Sequence, residues 1–112
     1  MKIYHLVPKN AWQKAKEVGF YAPESLEKES FIHCSTKEQV LPTANRRYIG
    51  ESNLVLLVIN TKKVDAKIVF EDTSDRGEKH PHIYGRLPLV AVEVVQKMKL
   101  DTDGEFIFSD IL

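Results

Sequence analysis

Apolar residues in this chain fall into two kinds of pattern. Leu54-Val55-Leu56-Leu57-Val58-Ile59 is unbroken, so it predicts a strand over Asn53 to Asn60 that is covered on both faces and central in its sheet. Lys2 to Val7 reads as a second strand, with Ile3, His5 and Val7 pointing one way and Tyr4 and Leu6 the other, until Pro8 ends it. Behind Asn10, a capping residue, Trp12, Ala15 and Val18 recur at helical spacing, and Gly19 supplies the stop. Phe20 to Pro23 reads as an extended connector, Glu24 to Ser30 as a turn or a single helical turn, and Phe31 to Cys34 as a short strand.

The second half continues with less regularity. Thr36 to Ile49 predicts another helix, kinked or split before Pro42 and ended by Gly50. Ser35 with Glu38, and Thr36 with Gln39, each have capping-box spacing at its start. Lys62 to Asp65 reads as a turn, Lys67 to Glu71 as a strand and Asp72 to Lys79 as a charged, mobile loop. His80 to Pro88 is rich in rings and reads as irregular. Leu89 to Met98 predicts a strand with Val90, Val92 and Val94 on one face and Ala91 and Val95 on the other. Asp103-Gly104 then turns a closing hairpin through Glu105 to Phe108. The sum is an α+β fold: one domain over 1–112, with a curved, mostly antiparallel sheet and two helices packed on it.

Composition changes this picture little. At 112 residues the chain can build a core without staples, and 43% hydrophobic content excludes a disordered chain. Sixteen basic residues balance sixteen acidic ones, so there is no general pull on nucleic acid; a phosphorylated end is the form in which nucleic acid fits. Residues 1–7 are too short and polar for a signal-peptide core, and no apolar run approaches a membrane span. A single cysteine, Cys34, suits a reducing compartment. The expectation is a cytoplasmic protein, monomeric or weakly dimeric, with no membrane partner.

Candidate chemistry gathers around histidines. His33 stands where a buried strand gives way to a helix start, and the N–H groups and positive dipole end of such a start suit an anion. His5 follows a short apolar opening, and His82 lies in His80-Pro81-His82-Ile83-Tyr84-Gly85. The three segments are expected to converge on one cleft, with Tyr4, Ser35, Tyr84 and Gly85 beside the imidazoles. Arg46 and Arg47 follow Asn45 on the helix after His33, and one of the two is expected to face the cleft and meet a phosphate. Glu71 is a strand-end acid that could orient a ribose hydroxyl. The ligand this points to is small and phosphate-bearing, with His5, His33, His82 and Glu71 as catalytic candidates. No His-Glu-x-x-His and no Cys-x-x-Cys is present, so no metal is expected, and Cys34 reads as buried and inert. The competing class is a non-catalytic interaction module whose histidines are packed polar groups.

Several of these motifs together resemble a known family. Ile3-Tyr4-His5-Leu6-Val7-Pro8, Trp12, Gly19, Tyr21, Pro23, Phe31-Ile32-His33-Cys34-Ser35, Ala44-Asn45-Arg46, Pro81-His82-Ile83-Tyr84-Gly85 and Asp103-Gly104-Glu105-Phe106 are similar to the bacterial domain-of-unknown-function 952 family. Ser30 departs from the glycine usual before Phe31, which implies a backbone there that avoids positive φ. Tyr4-His5, the Trp12 helix, Gly19 and Phe31 to Ser35 also resemble, more distantly, the RNA 2′-phosphotransferases of the ADP-ribosyltransferase-like fold. That resemblance implies a split sheet gripping NAD or an ADP-ribosyl group, a transferase activity, and His5 as a ribose- and nicotinamide-contacting residue. Leu6-Val7 replaces the Gly-Thr of those enzymes and removes their close backbone approach.

Overall fold

The unbroken apolar run does become the middle strand of a sheet. The structure is a computed structural model and describes residues 1–73 and 75–107. Its elements are β1 (Lys2–Pro8), α1 (Lys9–Val18), β2 (Phe20–Tyr21), α2 (Glu24–Glu29), β3 (Ile32–His33), α3 (Val40–Arg47), β4 (Leu54–Asn60), β5 (Ile68–Glu71), β6 (His80–Ile83), β7 (Leu87–Pro88), β8 (Val92–Lys97), β9 (Lys99–Leu100) and β10 (Phe106–Ile107). One three-stranded sheet has the order β1-β4-β8 and another the order β3-β6-β5, while β2 pairs with β7 and β9 with β10. Every strand pair among the described residues is antiparallel.

Both faces of the first sheet are covered, which is why β4 reads as continuously apolar. On one face Ile3, Val7, Val55, Leu57 and Ile59 pack with Trp12 and Ala15 of α1 and with Ile32 and Ile83 of the second sheet. On the other, Tyr4, Leu6, Leu54, Leu56 and Val58 pack with Val40 and Ala44 of α3 and with Met98 and Phe106. Leu56 and Leu57 are fully buried on opposite faces, each stabilising the fold by roughly 1.5–3 kcal/mol relative to exposure. The two sheets meet at one bridge: Tyr4 N–H donates to the Ser35 carbonyl at 2.8 Å and Ser35 N–H to the Tyr4 carbonyl at 2.7 Å.

Several local expectations need correction. Helix α1 starts at Lys9 after an extended Pro8, one residue before Asn10; Gly19 closes it at φ 102°, donating to the Ala15 carbonyl as a left-handed cap does. Phe20–Tyr21 is a strand paired with Leu87–Pro88, and Glu24–Glu29 makes a third α-helix. Ser30 has φ 73°, so this serine takes the left-handed conformation its residue type argued against. Its N–H caps α2 through the Leu26 carbonyl, and ending that helix against Phe31 outweighs the steric penalty. Thr36 and Gln39, not Ser35 and Glu38, form the capping box, and Lys37–Gln39 is a 3-10 turn leading into α3. Pro42 therefore falls within the first turn of α3, where no intrahelical N–H is lost.

His80–Ile83, expected to be irregular, is the middle strand of the second sheet. Leu89–Ala91 is a 3-10 turn, so β8 is shorter than its apolar pattern suggested; Ala91 is buried in that turn while Val95 is exposed. The turn at Asp103-Gly104 joins β9 to β10, with Gly104 at φ 82°; Phe108, the expected end of that hairpin, lies outside the described residues. Within 72–77, Asp72 accepts from the N–H groups of Arg76 and Gly77.

Candidate active site

A cleft of about 1040 Å³ opens beside the junction of the two sheets, at the upper end of the size range of small-molecule sites. Pleating of β1 sends His5 into it and Tyr4 to the opposite face, where Tyr4 packs near Val40 and Ala44. The cross-strand register His33↔His82 brings two more histidines to its wall. His5, His33, His82, Ser35, Glu71, Arg46 and Arg47 all line the cleft. Tyr4, Asn45, Tyr84 and Gly85 do not.

Those four have other roles. Asn45 clamps β10, accepting from Phe106 N–H at 2.6 Å and donating to its carbonyl at 3.3 Å. Tyr84 is exposed, and its hydroxyl donates to Glu71 Oε2. Gly85 sits where a Cβ would lie 2.7 Å from that of Ala66, so its role is close packing. The backbone of Tyr4 makes the bridge to Ser35. Both arginines reach the cleft, where one was expected, because they occupy the last turn of α3 at its rim and their long side chains are exposed. Among the described residues neither guanidinium has a carboxylate within salt-bridge distance.

The imidazoles are each held by a protein partner. A carbonyl can only accept, so His5 carries its proton on Nδ1 and donates to the His33 carbonyl at 2.5 Å. Its Nε2 lies 2.8 Å from the Tyr21 hydroxyl and accepts from it. Burial pushes His5 down to about 4, with the His33 carbonyl opposing that shift, so the ring is neutral near pH 7. Tyr21, also buried, is pushed up by burial and keeps its hydroxyl proton. His33 is half-buried and donates from Nε2 to Glu29 at 2.5 Å. The helix start beyond it is already capped, because Gln39 Oε1 takes the Thr36 N–H at 2.9 Å. That box satisfies part of the helix start, and the cations that line the cleft are Lys14 of α1, Arg46 and Arg47 of α3, and Arg76.

His82 is 2% exposed, stacked on Phe31 at 4.1 Å and 9°, and donates from Nδ1 to Glu71 at 2.9 Å. Burial lowers its pKa and the Glu71 carboxylate partly restores it. Glu71 is held below the usual carboxylate range, first by the Tyr84 hydroxyl and then by His82. Cys34 is buried and its thiol is pushed up by burial, as an inert core cysteine requires. Among the described residues no group of His, Cys, Asp and Glu is arranged to hold a metal ion.

Sequence reasoning passed over several residues that line this cleft, among them Lys14, Tyr21, Glu29 and Arg76. Tyr21 was part of an extended connector, and Glu29 part of a polar turn. Glu29 precedes His33 by four residues, but a helix end and a turn separate them, so helical spacing did not flag the pair.

Comparison with known proteins gives the class. Residues 6–95 match the family described as Protein of unknown function (DUF952), and the chain belongs to that family. It is similar to protein CC0527 from Caulobacter crescentus, whose crystal structure superposes with a TM-score of 0.85 at 30% identity, covering 96% of this chain and 94% of that one. The solution structure of the same protein superposes with a TM-score of 0.80 at 30% identity, covering 93% and 90%. No curated protein matches the chain. Among the described residues no helix is long and apolar enough to cross a membrane.

Proposed function

We propose that the cleft binds a nucleotide-derived phosphate ligand of the NAD or ADP-ribose class, and that the fold is ADP-ribosyltransferase-like with a transferase activity. The observation that carries this is the pair Arg46 and Arg47, two exposed guanidiniums at the rim of the cleft that, among the described residues, have no carboxylate within salt-bridge distance. Two further features support it. Two three-stranded antiparallel sheets are joined through one bridge beside the cleft, as a split sheet would be. Glu71, an ionised carboxylate that also lines the cleft, is a group that could orient a ribose hydroxyl. The lone thiol Cys34 suits the reducing cytoplasm for this role.

Calorimetric titration with NAD, ADP-ribose and an RNA fragment ending in a 2′-phosphate tests the proposal. Saturable binding of at least one is expected, and Arg46→Ala or Arg47→Ala should weaken it by about tenfold or more, the scale of a charge-assisted hydrogen bond. No saturable heat with any of them would overturn it. The second reading, a non-catalytic interaction module, has one observation in its favour. Each of His5, His33 and His82 commits a ring nitrogen to a protein partner.

A further inference from the structure

We infer that Tyr21, rather than His5, meets the ligand at the floor of the cleft, and that it does so only as a hydrogen-bond acceptor. The ligand then enters with a hydroxyl or N–H donor foremost and its phosphate toward Arg46 and Arg47. This rests on the phosphate-binding reading above and adds the orientation and the chemistry of the inner subsite.

The direction follows from counting protons along a buried chain. The His33 carbonyl has none, so the His5 Nδ1–H must point to it across 2.5 Å. A neutral imidazole has one N–H, so Nε2 is bare and takes the Tyr21 hydroxyl proton across 2.8 Å. His5 has then spent both nitrogens within the protein. Tyr21 has spent its only proton, and what it retains toward the cleft it lines is oxygen lone pairs. His5 is 8% and Tyr21 6% exposed, so bulk water does not rescue a mismatched partner there.

The geometry is fixed rather than adaptable. The Tyr21 ring is held edge-on by Trp12 at 6.5 Å and tilted against the His5 ring at 5.2 Å, and its backbone pairs with Leu87. A phosphate oxygen at this floor would set lone pairs against lone pairs, whereas a sugar hydroxyl or an amide N–H completes the chain. Arg46 and Arg47, exposed at the rim, supply the opposite polarity. The cleft therefore sorts a ligand by its own polarity: donor toward Tyr21, anion toward Arg46 and Arg47.

Two measurements test this. The first uses the unliganded protein: long-range ¹H–¹⁵N correlation of the His5 ring at pH 7 should show Nδ1 protonated and Nε2 bare. The reverse tautomer would overturn the inference, because Tyr21 would then be free to donate. The second compares ribose 5-phosphate with (tetrahydrofuran-2-yl)methyl phosphate, which keeps the ring and phosphate and lacks the hydroxyls. Wild type should prefer ribose 5-phosphate by about tenfold, the worth of one well-made buried hydrogen bond. Tyr21→Phe should collapse that preference. Equal affinities in wild type, or a preference that survives Tyr21→Phe, would overturn the inference and leave phosphate binding intact. If neither phosphate binds wild type, the phosphate-binding reading falls and the inference with it.

Discussion

The rings of His33 and His82 meet edge to face, 5.2 Å apart at 76°, as cross-strand partners of β3 and β6. Each is backed by its own carboxylate, Glu29 behind His33 and Glu71 behind His82. A charge on one ring disfavours a charge on the other. His82 is the more buried of the two, and burial is the main cause of its lowered pKa. Glu71 is the partner that pulls it back up. Replacing Glu71 by Gln removes that pull, so the His82 pKa should fall further. NMR titration of the ring protons in wild type and Glu71→Gln reads this directly; a rise in the variant would contradict the assignment.

His5 makes the fold sensitive to acid. Its pKa is about 4 in the folded protein against about 6.5 in an unfolded chain. Above pH 6.5 both states are neutral and the full stability is present. As pH falls below that, the unfolded chain takes the proton first, and stability is lost until the folded ring also titrates near 4. The loss over this window is on the order of 3 kcal/mol. Urea unfolding at pH 7 and pH 5 should show it, and His5→Asn should flatten the slope. A wild-type stability that does not change between those pH values would refute it.

Ser30 holds a conformation that glycine adopts without a Cβ penalty. At φ 73° the left-handed region costs a non-glycine residue about 1–2 kcal/mol, set against the roughly 0.5–1 kcal/mol that glycine loses in backbone entropy. Ser30→Gly is therefore expected to stabilise the protein by about 1 kcal/mol, read as a higher thermal midpoint. An unchanged or lowered midpoint would show that the serine has a compensating interaction.

Gly85 faces the opposite constraint, one of space. A Cβ there would lie 2.7 Å from Ala66 Cβ, so one strand end or the turn must shift. Gly85→Ala should destabilise by about 1–3 kcal/mol, the usual cost of overpacking. Adding Ala66→Gly removes the other half of the clash and should recover most of that loss. A double variant as unstable as Gly85→Ala would argue for a backbone requirement instead.

The sequence by itself determined the parts whose signal is local. Leu54 to Ile59 reads as doubly covered because six consecutive apolar side chains need cover on both faces. Gly19 acts within a few residues, so its place in the sequence marks the helix end; the capping box was narrowed only to two overlapping candidates, of which Thr36–Gln39 forms. The inert character of Cys34 likewise follows from its apolar neighbours Phe31 and Ile32, although the strand there ends at His33. Only the tertiary structure decided the rest. His80-Pro81-His82-Ile83 has no clean alternation, yet it becomes a middle strand because β3 and β5 pair with it from either side. The site is set by that pairing: His82 reaches Glu71 across 11 positions and His5 reaches Tyr21 across 16. Hydrophobic periodicity tells which face a residue occupies on its own strand. It carries no information on which strand lies opposite or in what register, and register is what turns separate histidines, tyrosines and acids into one cleft.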